Sequence, residues 1–512
     1  MILATSVYAQ DATEGDQHAA TPADRAEKIL VIQAKTLWTG SGAPIADGIV
    51  VVRGGKIVAA GADVEIPESA EVRKISDAYV TPGLIDANCV LDFEIPEVGY
   101  RQDFSTCHDP RHARGGTAAN CLCCAGKDDP FWSQLAAHAA REASVMRLHA
   151  MNPEMDHDHG PGCICGVPFS QPMKFAGLSE SASGVSARQT WADQSSEVIP
   201  HLRVADSLNL LSRDFDRLAR SGVTCVYVAP DTASVIGARG AIVKTGGPVH
   251  LRMVESTGAV QAALGSDPSN RGRSNMLPPF YGPPPTNLTR RPTTRMGVDF
   301  VFRKAFHDAR RAQRGLGITG ADAPPAAAFD TLNGILDGDV PLRIHARLKH
   351  DILYALELSR DLGLHPTLVE VIEAWDCIPQ LLQAKTPIVY GPVYMDASGW
   401  RASSGESADP RLTAAALFAK QGVSFALTAN DMRDEDGLAR QAMIATRYGL
   451  SQDDALRAIT ETPAELLGIA DRCGSLAPGK DADLVVWNGS PCGATSRPVL
   501  VMINGQVVYE GK

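Results

Sequence analysis

Cysteine and histidine are the side chains whose spacing first points to chemistry. The chain has 512 residues with 11 cysteines and 13 histidines, and six of each lie between residues 107 and 165. An even spread would place about three of the two types together in that stretch. Cys107, Cys121, Cys123, Cys124, His157, His159, Cys163 and Cys165 form the densest part of the group. Thiolate and imidazole suit Zn²⁺, and thiolates also suit Cu(I) or an iron–sulfur cluster, so neither alternative is excluded. A structural metal would offset the ordering entropy of so long a loop. Two other readings stand beside it. In an oxidising compartment the cysteines could form up to three disulfides, with Cys123 and Cys124 taking different partners. The cluster could also be a loop with incidental ligands.

The elements that would position any site follow two patterns. Residues 28–35, 48–53 and 56–61 read as short β-branched strands broken by turns such as Gly54-Gly55. The C-terminus returns to that style. Residues 483–487 read as a strand, and residues 499–509 as a hairpin turning at Asn504-Gly505, a strong two-residue turn signal. The middle alternates strand and helix, with strands near 223–228, 341–345, 367–371, 387–390 and 423–427. Ser451 caps a helix, with Asp454 three residues on. Alternation of this kind indicates parallel β/α units, and with right-handed crossovers it favours a closed barrel over an open sheet. Residues 93–200 and 268–295 break the alternation and read as long excursions.

Charge narrows the partners. The net charge is −11, from 48 basic and 59 acidic residues. Nucleic acid and anionic membranes demand a basic surface, so neither is expected as the main partner. No apolar run approaches the ~18 residues of a membrane span. Residues 2–9 read ILATSVYA and precede a polar stretch. Residues 1–26 therefore read as the tail of a secretory signal without its basic start, or as a disordered terminus. The first reading makes the protein periplasmic, the second cytoplasmic.

Several motifs then converge. Residues 81–87 read TPGLIDA, residues 462–468 TPAELLG and residues 474–487 GSLAPGKDADLVVW. Together they resemble the metal-dependent amidohydrolase superfamily. SGVTCVYVAP (221–230), GARGAIVKTGG (237–247), RRPTTRMGV (290–298) and RIHARLKHDILYALEL (343–358) resemble its imidazolonepropionase-like branch. The similarity covers residues 28–92 and 198–512. It implies an α/β fold, a (β/α)₈ TIM-like barrel with a small β-sandwich built from both termini. The expected boundaries are 27–80 and 466–512 for the sandwich and 81–465 for the barrel, which carries the 93–200 insertion. It also implies hydrolysis of carbon–nitrogen, non-peptide bonds of a small molecule by a metal-bound hydroxide.

The resemblance fails where that chemistry is done. In the superfamily a His-x-His pair follows the TPGLIDA-like stretch. Here Asn88 and Val90 stand at those places, with Cys89 between. Valine cannot ligate, and a neutral amide is a poor ligand for a catalytic metal. The strand 5 histidine survives as His345. The strand 6 histidine is replaced by Glu370 or Val371, depending on a one-residue alignment choice. Asn430 holds the place of the strand 8 aspartate, and Asp431 comes one residue late. A catalytic zinc normally has three protein ligands, so no metal is expected in the barrel mouth. His250 could line the pocket or be structural. Arg290, Arg291 and Arg295 could clamp an anion, and Lys244 reads as a surface or salt-bridged lysine.

Two functions follow. The chain is a hydrolase with a site remodelled around His345, Glu370, Asp431, Asn430 and Asn88. Alternatively it is a catalytically silent barrel that stabilises an active relative, with a separate metal-binding insertion. The resemblance implies a homo-oligomer, or a hetero-oligomer with a related amidohydrolase.

Overall fold

The computed structural model describes residues 29–40, 42–91, 196–230, 232, 234–265, 267–269, 292, 294–318, 324–393, 411–430 and 437–511. The signal-like terminus, the cluster from Cys107 to Cys165, Arg290, Arg291 and Asp431 lie outside the described residues. The N-terminal strands are β1 (Ile29–Leu37), β2 (Ile45–Arg53), β3 (Lys56–Gly61) and β4 (Glu71–Pro82). The middle holds β5 (Leu84–Cys89), β6 (Val223–Val228), β7 (Ile236–Arg239), β8 (Ala241–Lys244), β9 (Met253–Glu255), β10 (Val260–Ala263) and β11 (Leu342–His345). It continues with β12 (Thr367–Val369), β13 (Ile388–Tyr390) and β14 (Phe425–Leu427). The C-terminus adds β15 (Leu484–Trp487), β16 (Pro498–Ile503) and β17 (Gln506–Glu510).

Both chain ends enter one seven-stranded sheet, ordered β17-β16-β15-β4-β1-β2-β3. The join is β15 against β4, antiparallel, with Leu484 opposite Pro82. Alternate residues of these strands, among them Ile32, Val50, Val80, Leu484 and Met502, share one apolar cluster. The β16–β17 hairpin turns at Asn504 and Gly505, both at positive φ, as the sequence predicts for this pair.

The middle strands form a six-stranded sheet, β14-β13-β12-β11-β10-β7, and a four-stranded one, β5-β6-β8-β9. Pairings from β10 through β14 are parallel, as the alternating pattern requires. These strands are buried along their length, which explains their near-continuous apolar runs. The two sheets meet at two places. Only Gly240 separates β7 from β8, and Val90 N donates to Asn430 O at 3.3 Å where β5 meets the loop after β14.

One stretch departs from the parallel expectation. β7 is antiparallel to β10, and β8 is antiparallel to β6. Seven residues separate Val228 from Ile236. A parallel return needs a crossover of about a dozen residues or more, so the chain must run back. The helix before β6 begins at Arg213, where the Ser212 side chain accepts from Asp214 N. Ser451 Oγ accepts from Asp454 N at 3.0 Å, as its capping motif predicts. No described helix is long and apolar enough to cross a membrane.

Candidate functional site

The C-terminal ends of β5, β11, β12 and β14 bring a buried polar group together. His345 is the last residue of β11, and Glu370 directly follows β12. Those strands are parallel neighbours, with His345 beside Val369, so the two side chains meet. His345 Nε2 lies 3.1 Å from Glu370 Oε2. On its other edge, His345 Nδ1 lies 3.7 Å from Asp267 Oδ2 and makes no hydrogen bond among the described residues. Arg347 lies two residues past His345, beyond the end of β11. Its guanidinium binds Asp267 Oδ1 and lies 3.9 Å from Glu370 Oε2. Asn430 Nδ2 donates to Glu370 Oε1. Thr232 Oγ1 holds the second Asp267 oxygen at 2.7 Å.

Backbone strain concentrates at the same place. Glu370 has φ of 55° and Asn430 φ of 53°. A left-handed conformation is uncommon outside glycine and costs about 1–3 kcal/mol per residue. The Glu370–Asn430 hydrogen bond joins the two strained residues, so the neighbourhood holds both conformations in place.

Asp86 fixes the seam. Its Oδ1 accepts from Asn88 N at 3.0 Å and from Thr428 Oγ1 at 2.6 Å, and its Oδ2 from Ala429 N at 3.0 Å. This aspartate is part of the TPGLIDA motif. Asn88 is 1 % exposed, and its Oδ1 has no hydrogen-bond partner among the described residues. Arg343 donates to Ala87 O and stacks 4.2 Å over the Tyr227 ring.

The structure therefore gathers His345, Glu370, Asn430 and Asn88 at one end of the strands. Asp267 and Arg347 are in contact with them and were not singled out from the sequence. Arg347 carried a usable signal, since it lies only two residues from His345 in the sequence. Asp267 did not, because it lies in a short 3₁₀ turn (Asp267–Ser269) beside an irregular segment. His250 is exposed and does not join the group. Arg295 forms a two-pronged pair with Asp351, at 2.9 and 3.2 Å.

A second polar group lies at the opposite end. Lys244 ends β8, which is antiparallel, so it sits opposite Cys225 near the start of β6. It is fully buried, binds Asp483 and lies 3.1 Å from Asp481 and 3.3 Å from Cys473 Sγ. Of the two expectations for Lys244, the salt-bridged one is observed and the surface one is not. Burial pulls its ammonium down, but Asp483, Cys473, Cys225 and Asp481 outweigh that and hold its pKa above the ordinary lysine value. Ligand atoms of Cys473, Asp481 and Asp483 lie within 4.8 Å of one another, a spacing that could hold a metal. The Lys244 ammonium already stands among them.

Comparison with known proteins places this architecture. The amidohydrolase family profile matches residues 318–508. Amidohydrolase tasK of Hapsidospora irregularis is 24% identical over 350 residues, 64% of this chain and 34% of that protein. Imidazolonepropionase of Mesorhizobium japonicum is 34% identical over 76 residues, 14% of this chain and 19% of that one. The matched regions thus span about a third and a fifth of those relatives' lengths. The crystal structure of an amidohydrolase from Thermotoga maritima MSB8 covers 94% of this chain and all of its own, at 23% identity and a TM-score of 0.65. The family match thus covers the C-terminal part of the chain, residues 318–508. The likeness to the Thermotoga maritima structure shows a shared fold over nearly the whole chain.

Proposed function

We propose that the protein hydrolyses a carbon–nitrogen, non-peptide bond of a small molecule. Its barrel mouth, the group around His345 and Glu370, works without the two-metal centre common in the superfamily. The His345–Glu370 contact carries this reading. The donor set does not fit two metals. Asn88 and Val90 replace imidazoles, the Asn430 amide is spent on Glu370, and Asp267 is held by Arg347. No step is therefore assigned to a metal there.

Hydrolysis adds water across the bond. The water oxygen joins the carbonyl or amidine carbon, and one water proton must reach the departing nitrogen. Glu370 is placed to take that proton, and His345 to deliver it to nitrogen. Arg347 supplies the fixed positive charge for the oxyanion or other negative charge that develops. Asn430 orients Glu370, while Asp431, outside the described residues, is the remaining candidate. The Cys/His insertion is proposed as a separate Zn²⁺ site.

The test is hydrolysis of a panel of small linear and cyclic amides, with and without a chelator. Chelator-resistant turnover is expected, with kcat/KM falling about 100-fold or more in Glu370→Gln. Full activity in Glu370→Gln would remove the proposal.

A second reading has its own support. The mouth carboxylates already have internal partners in Arg347 and His345, which suits a silent barrel pairing with an active relative. Absence of turnover on every substrate, with co-elution of a second barrel chain, would favour it.

A further inference from the structure

We infer that Asp267 is a positioning residue of the mouth. It holds a proton on His345 Nδ1, so that the single proton shared by His345 Nε2 and Glu370 is the mobile one. The use of that proton rests on the hydrolysis proposed above, but the state of the ring is read without turnover.

His345 is buried, and its two ring nitrogens face two different carboxylates. Nε2 lies 3.1 Å from Glu370 Oε2, and Nδ1 lies 3.7 Å from Asp267 Oδ2. The two oxygens of Asp267 are already fixed. Oδ1 accepts from Arg347, and Oδ2 accepts from Thr232 Oγ1 at 2.7 Å. Asp267 therefore faces the ring as a pure acceptor, and the nitrogen turned toward it is the one that carries a fixed N–H. A gap of 3.7 Å is wider than a hydrogen bond, as catalytic contacts often are before substrate tightens them.

Charge points the same way. Two buried carboxylates beside the one guanidinium of Arg347 leave a negative charge over, which a buried site does not tolerate. One proton shared between Nε2 and Glu370 removes it.

In hydrolysis that shared proton is the one that moves. Nε2 gives it to the departing nitrogen as the carbon–nitrogen bond breaks. Glu370 takes the proton that water releases as its oxygen joins carbon. The pair then holds one proton again, so each turnover leaves it as it began. Asp267 keeps the other ring nitrogen out of the exchange.

The experiment reads the ring nitrogens by two-dimensional NMR of the full chain with isotope-labelled histidine at neutral pH. The His345 signals are those that His345→Gln removes. In the parent, Nδ1 is expected to show the shift of a protonated nitrogen. In Asp267→Asn, Arg347 claims the amide oxygen, and the amide NH₂ then faces Nδ1. There the proton is expected to leave Nδ1 for Nε2. An unprotonated Nδ1 in the parent would overturn the inference, a result that stands even where Asp267→Asn does not fold. So would an Asp267→Asn ring that keeps its Nδ1 proton. Neither readout needs a substrate, so failure of the hydrolysis proposal and failure of this one are told apart.

Discussion

Asp86 and Thr428 are 342 residues apart in sequence, yet the Thr428 hydroxyl donates to Asp86 Oδ1 at 2.6 Å. The bond ties the end of β14 to the end of β5, where the two sheets meet. Asp86 also accepts from two backbone N–H groups, so one carboxylate orders both sides of the seam. Charge-assisted bonds of this type are the strong ones, and removing the acceptor strands the buried Asn88 and Ala429 N–H groups, while the Thr428 hydroxyl keeps Asn88 O at 2.9 Å. Asp86→Ala should cost about 3 kcal/mol or more in a urea titration. A loss below about 1 kcal/mol would show that the seam holds without it.

Lys244→Met removes the cation from between Asp481 and Asp483. Breaking a buried pair in this way costs about 3–5 kcal/mol. The deficit should depend on pH. Burial pushes Asp481 up, but Lys244, Lys56 and Arg472 outweigh it and hold the carboxyl below its ordinary value. Its contribution is present above the unfolded carboxylate pKa and is lost as pH falls through the folded one. The raised Lys244 contribution is present below the unfolded lysine pKa and lost only in strong alkali. The deficit of Lys244→Met should therefore be full at about pH 7 and shrink at about pH 3, where protonation relieves the orphaned carboxylates. Equal deficits at both pH values would contradict the ion-pair account.

Cys473 should be inert in the folded protein. Burial and then Asp483 push its thiol up to about 12, and the thiolate is the reactive form. Mass mapping after brief iodoacetamide treatment should find it unmodified at neutral pH and modified in urea. Rapid labelling of the folded chain would mean the Lys244 cluster opens.

Gly240 leaves space that Tyr227 uses. A Cβ built on Gly240 would overlap the Tyr227 ring, on which Arg343 stacks. Overpacking of this kind costs about 1–3 kcal/mol, so Gly240→Ala should lower the melting temperature. Tyr227→Leu should recover part of the loss in the double variant, read as a coupling energy. Additive losses would place the strain elsewhere.

The terminal sheet was legible because its signals are local. Alternating β-branched residues and the Asn504-Gly505 turn need no distant partner to be read. His345 and Glu370 were legible through motif position on neighbouring strands. The burial of Lys244 and its partner were not, because its pairing with Asp483 spans 239 residues and nothing in AIVKTGG marks it as buried. Asp267 was missed for a like reason, since a carboxylate in a short turn has no periodicity to place it.

The sequence by itself determined the strand-and-helix alternation and the resemblance carried by its motifs, because these reside in residue identity and short-range order. Only the tertiary structure decided that β7 and β8 run antiparallel, that Arg347 faces Asp267, and that Lys244 is enclosed with two aspartates. Those facts depend on which strand ends become neighbours. Burial then turns such neighbours into strong electrostatic partners, since a charge removed from water must be met by another.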